Sequence, residues 1–93
     1  MAAMVNEVIA AAGNTAVPAY LTLLKLGYTV DRAGKGDQEH WIAKKETLHL
    51  VADCPLELLG LCLLRSEQGP HWQATDRQID EFMRQFYPTA SST

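Results

Sequence analysis

Apolar positions recur at helical spacing twice before the first stretch that alternates. Met4, Val5, Val8, Ile9 and Ala12 share one side of a short amphipathic helix, with Asn6, Glu7 and Ala10 on the other and Gly13 as its C-terminal stop. Asn14 or Thr15 can cap a second helix, with Pro18 inside the first turn, where its missing N–H is tolerated. Val17, Tyr20, Leu21, Leu23, Leu24 and Leu26 follow, and Gly27 ends it. Only Pro18, Thr22 and Lys25 form a polar sector there, so this helix is expected to be covered on most sides. The period then changes to two. Tyr28 and Val30 alternate with Thr29 and Asp31, the segment AGKGD supplies a turn, and His40 to Lys45 alternates with Trp41 and Ala43 inward. Leu48 to Ala52 continues after a short turn near Glu46 and Thr47, which predicts a three-stranded antiparallel meander.

The most informative pattern lies in DCPLELLGLCLLRSEQG, residues 53–69. Asp53 is expected to cap this helix and Pro55 falls in its first turn. At about 100° per residue, Leu58, Cys62, Leu59, Leu63, Leu56, Gly60 and Leu64 spread over roughly 240°, far more than the ~100° stripe of a surface helix. Glu57, Leu61 and Arg65 form the remaining strip, which makes Leu61 the one large apolar side chain expected to look outward. A sheet covers one side of such a helix, so the N-terminal helices or a second chain must cover the other. Gly69 and Pro70 then break the chain, and Thr75 with Gln78 makes a capping box for a last helix. Ile79, Phe82, Met83, Phe86 and Tyr87 line that helix on an arc of about 140°, and Asp80–Arg84 and Arg77–Glu81 are expected to pair at i,i+4. Trp72, in the polar loop GPHWQATD, is expected to pin that loop to the core.

These elements predict an α+β fold in the order α-α-β-β-β-α-α, a three-stranded antiparallel meander packed against helices. The 93 residues suit one domain over 1–88, with residues 89–93 as a frayed tail. A formal charge of −3, with eight Lys and Arg scattered along the chain, lacks the basic excess that binding phosphates requires, so no nucleic-acid partner is expected. No apolar run reaches the roughly 18 residues of a membrane span, and the N-terminus lacks the basic region of an export signal. A cytoplasmic protein with no membrane partner is the expectation. Cys54 and Cys62 stand roughly 12 Å apart along one helix, too far for a disulfide, and read as buried free thiols.

Candidate chemistry is sparse. His40, His49, His71, Cys54 and Cys62 are good metal ligands by type, but none has the spacing of a metal motif, so neither a metal nor another cofactor is expected. Cys54 at a helix N-terminus is the one thiol in a setting that favours a thiolate, and no histidine accompanies it. Gly34, Lys35 and Gly36 lack P-loop spacing and precede a strand, while Asp31, Asp37 and Glu39 cluster at the same wet turn. Nothing here argues for an enzyme.

Asp53, Pro55, Leu56, Glu57, Leu58, Leu59, Gly60 and Leu61, followed by Gly69, Trp72, Ala74, Asp76 and Ile79, resemble a type of small bacterial protein with a DPLELLGL-like helix and a GxxWxAxD loop. The likeness runs roughly from Gly27 to Phe86, with Cys54 departing from an acidic residue. That type is similar to the immunity-type partners encoded beside interbacterial toxins. The resemblance implies a non-catalytic inhibitor that occludes a cognate toxin domain. An acidic surface would suit a basic, nucleic-acid-directed target. The candidate contacts are Glu57 and Leu61 with the acidic strip Asp76, Asp80 and Glu81. The alternative is a structural or adaptor domain that forms a homodimer through the 53–69 helix.

Overall fold

The computed structural model describes residues 7–11 and 13–88. Helix α1 (Ala16–Lys25) leads into β1 (Thr29–Ala33), a 3-10 turn (Gly36–Gln38), β2 (His40–Lys45), β3 (Leu48–Ala52), α2 (Pro55–Gln68) and α3 (Asp76–Phe86). The fold is a small α+β arrangement around a three-stranded antiparallel sheet in the order β1-β2-β3. The chain divides into two compact units, Met1–Leu63 and Leu64–Thr93, with α2 running through the boundary.

The helix expected from Met4 to Ala12 is not part of this order. Residues 1–6 and 12 lie outside the described residues, and Glu7 to Ala11 carry no helix. A helix this short is marginal in water unless tertiary packing holds it, and β-branched residues lower its propensity further. Val8 and Ile9 are 84% and 85% exposed, so neither gains from packing.

In the first unit, α1 ends in a Schellman motif. The Tyr28 N–H donates to the Leu23 carbonyl at 3.0 Å and the Gly27 N–H to that of Leu24 at 3.0 Å, with Gly27 at φ 98°. That left-handed residue turns the chain so that Tyr28 folds back into one cluster with Leu23. Lys45 closes the same end: its Nζ donates to the Leu26 carbonyl at 2.9 Å and lies 5.6 Å from the Tyr28 ring centroid. One ammonium thereby satisfies a helix-end carbonyl and makes a cation–π contact.

Val30 pairs with Ala43 and Ala43 with Leu50, so Tyr28, Val30, Trp41, Ala43, Leu48, Leu50 and Ala52 share one face of the sheet. Leu23, Leu58 and Cys62 pack against that face to complete the core. Two residues connect β2 to β3, and Glu46 there takes φ 57°. In this register His49 stands opposite Lys44 and His40 opposite Ala33, so the two histidines do not meet across the sheet.

Helix α2 corrects two expectations. Its first residue is Pro55, and the Cys54 carbonyl accepts from the Leu58 N–H at 3.1 Å, so Cys54 rather than Asp53 stands at the cap. Asp53 contributes its backbone N–H, which donates to Glu57 Oε1 at 3.0 Å. The buried stripe is also rotated from the expected arc. Pro55, Leu58 and Cys62 are buried and Leu59, Leu61 and Arg65 half-buried, whereas Leu56, Leu63 and Leu64 are exposed. Leu61 packs against the core cluster instead of looking outward. Helix periodicity had grouped the leucines, but the sheet covers only the side centred between Leu58 and Cys62.

Helix α1 departs in the same way. Ala19 and Leu23 are its buried residues, while Val17, Tyr20, Leu21, Leu24 and the capping Leu26 stay exposed.

The second unit is organised by α3, whose start is the expected capping box. Thr75 Oγ1 accepts from the Gln78 N–H at 3.2 Å and Gln78 Oε1 accepts from the Thr75 N–H at 2.9 Å. Thr75→Ala removes one of these bonds and loosens the other, and is expected to cost about 1 kcal/mol of stability. A urea titration followed by helical circular dichroism measures this, and an unchanged midpoint would contradict it. Among the described residues the Arg77–Glu81 pair forms at 3.6 Å, whereas no Asp80–Arg84 pair does. Within this unit the Trp72 ring is part-exposed and lines a depression of about 490 Å³ with Leu64, Ala74, Ile79 and Phe82.

Candidate functional site

Helix α1 carries two apolar faces. Relative to Ala19, Leu23 lies roughly 40° around the axis, and this face packs into the core. Tyr20, Leu24, Val17 and Leu21 follow at roughly 100° to 200°, and Lys25, Pro18 and Thr22 occupy the rest. Val17 is 51% exposed and Leu21 55%, so the second face meets solvent as a continuous stripe. Isolated exposed leucines are ordinary on a protein surface, whereas a contiguous apolar stripe on one helix is a candidate interaction surface.

A depression adjoins the stripe. Ala16, Val17 and Tyr20 from α1, Trp41 from β2 and Pro55 at the start of α2 enclose about 340 Å³. Trp41 is held from the sheet side, because the Arg32 guanidinium lies 5.9 Å from its ring centroid and is itself paired with Glu39. The surface these residues turn to the depression is apolar. Such a pocket accepts an inserted hydrophobic side chain, the arrangement at the centre of protein interfaces.

The residues singled out from sequence are distributed across both units. Glu57 is exposed in the first unit, and its carboxylate is occupied by the Asp53 N–H. Leu61 is half-buried against the core, so it contributes to packing more than to a surface. Asp76, Asp80 and Glu81 are exposed on α3, where Glu81 is shared with Arg77. Asp76 and Asp80 fall one turn apart on one flank of α3, with Glu81 on the far side of the helix. Of the two thiols, Cys62 is buried and Cys54 half-buried, and no disulfide joins them. Among the described residues no group of three or more His, Cys, Asp or Glu is gathered to hold a metal ion, and no helix is long and apolar enough to cross a membrane.

Sequence periodicity alone does not single out the stripe on α1 with the Tyr20–Trp41–Pro55 depression as a site. Its signal was present: the polar sector of α1 is only three residues wide, leaving more apolar surface than one sheet face can cover. Fold and surface together define a small α+β domain with apolar helix faces left open. No protein-family model matches the chain, and neither a curated protein nor a solved structure matches it.

Proposed function

We propose that this protein is a non-catalytic protein-binding module whose docking face is the outer side of α1 with the depression beside it. The observation that carries this reading is the contiguous exposure of Val17, Tyr20, Leu21 and Leu24 opposite a helix face already buried in the core. Covering such a stripe removes apolar surface from water at about 25 cal/mol per Å² before association costs are counted. The depression offers a socket for one anchoring side chain of the partner.

The most concrete form of the proposal is an immunity-type inhibitor, acting in the cytoplasm by occluding the cleft of a cognate toxin domain. The resemblance of residues 27–86 supports it. So does the charge of −3, which with exposed Glu57, Asp76, Asp80 and Glu81 would speed encounter with a basic, nucleic-acid-directed partner. Self-association through the 53–69 helix is the second reading, supported by the uncovered Leu56 and Leu63.

Affinity capture from the native cell, comparing the natural chain with the double variant Leu21→Asp/Leu24→Asp, tests the proposal. The natural chain should retain a basic partner protein in stoichiometric amount. The variant should bind it at least about thirtyfold more weakly, the scale of losing an interface hot spot. Recovery of the same proteins by both chains contradicts the proposed face. Recovery of a second copy of this chain alone favours self-association.

A further inference from the structure

We infer that the segment ahead of α1 is a strap that competes with a partner protein for the α1 stripe. On closing, residues 7–11 take up a helical turn and lay Val8 and Ile9 against Tyr20, Leu21 and Leu24. The inference rests on the α1 reading, because the strap regulates the face proposed there for docking.

Two uncovered apolar surfaces follow one another along the chain within the first unit. Val8 and Ile9 are almost fully exposed where residues 7–11 carry no helix, and Val17, Tyr20, Leu21 and Leu24 are exposed on α1. In a helical turn consecutive side chains stand about 100° apart, so Val8 and Ile9 share one side while Glu7 and Ala10 turn away. The same apolar periodicity continues to Met4 and Val5, which lie outside the described residues.

The tether identifies the occupant. Six residues separate Ile9 from Ala16, the first residue of α1. A chain of that length reaches about 20 Å, whereas the stripe from Val17 to Leu24 extends only about 10 Å along the helix. Gly13 lies on the way in the left-handed region at φ 81°, in open space where a Cβ would meet nothing within 4 Å, and supplies a bend. So short a link holds the strap at an effective concentration of about millimolar, which a separate protein at micromolar concentration does not match. Covering two apolar side chains gains free energy of the same order as ordering a five-residue segment costs, so open and closed forms coexist. A partner that binds the stripe must take the open form, and its apparent affinity is lowered by the fraction of chains that are open.

Nuclear magnetic resonance on the full chain with labelled valine, isoleucine and threonine methyl groups tests the closed form directly. Nuclear Overhauser contacts are expected from the Val8 and Ile9 methyls to the Tyr20 ring, and none to the Thr22 methyl on the polar side of α1. The neutral dye Nile red then reads access to the stripe. Val8→Ser/Ile9→Ser should lower its apparent dissociation constant about two- to threefold, the factor by which opening the strap raises the competent fraction. The same two changes made on top of Leu21→Asp/Leu24→Asp should leave dye binding unchanged. All four positions are exposed, so circular dichroism should show the fold retained in every chain. Absence of the contacts to Tyr20 overturns the strap, and so does an equal gain in dye binding with and without Leu21→Asp/Leu24→Asp. Neither readout involves a partner, so failure here is distinct from failure of the docking face, which shows in the capture from the native cell.

Discussion

Leu58→Ala is expected to remove about 3–5 kcal/mol of folding stability. Leu58 is fully buried, with Leu23 the only other large side chain among the described residues in that state. It joins α2 to the cluster of Leu23, Tyr28, Ala43, Leu50 and Cys62, so truncation removes its buried methyl groups and opens a cavity at the meeting point of helix and sheet. The total stability of a domain this size is about 5–14 kcal/mol, so one such cavity takes a large share. Leu63→Ala on the same helix is the contrast: Leu63 is exposed, and its loss should change stability by no more than about 0.5 kcal/mol. Urea denaturation of both variants decides the matter. Similar midpoints for the two would mean that the buried stripe of α2 has been assigned to the wrong side.

Gly34→Ala is the second large effect, expected at about 2–4 kcal/mol. Gly34 takes φ +85°, where a side chain is disfavoured. A methyl group there would also collide with the Gln38 carbonyl, whose carbon would lie only 2.7 Å away. The obstacle is backbone, so the loop between β1 and β2 would have to open. That loop leads into Glu39, whose ion pair with Arg32 holds the guanidinium over Trp41, so the change should reach the edge of the α1 depression as well. Gly36 also has positive φ, at +56°, but a Cβ there meets nothing within 4 Å. Gly36→Ala should therefore cost only the left-handed penalty, about 1–2 kcal/mol. Thermal unfolding of the pair separates collision from conformation, and equal losses would show that the close approach to Gln38 is absent in solution.

Local signals with a single physical reading were legible in the sequence. Alternation located β2 over His40–Lys45 and β3 over Leu48–Ala52, and the Thr75–Gln78 capping box placed the start of α3. Gly27 announced the end of α1 because only glycine takes a left-handed C′ position without cost. The site was less legible, and for one reason: periodicity says which side chains share a helix face but not which face the rest of the chain covers. Leu61 and Leu63 differ by 200° on α2, and the covering sheet lies on the side of Leu61. The wide arcs on α1 and α2 signalled excess apolar surface, and that surplus is what stands exposed. Asp53 has the side-chain type of a cap, but Pro55 begins the helix and thereby puts Cys54 at the cap.

The proposed function requires α1 to present a face that another protein covers. A photo-crosslinking side chain placed at Leu21 in the native cell, with the same group at Thr22 on the polar side of the helix as its comparison, tests that claim most directly. Leu21 should yield one discrete adduct with a second polypeptide and Thr22 none. No adduct from Leu21, or the same adducts from both positions, would contradict the assignment of this face as a binding surface.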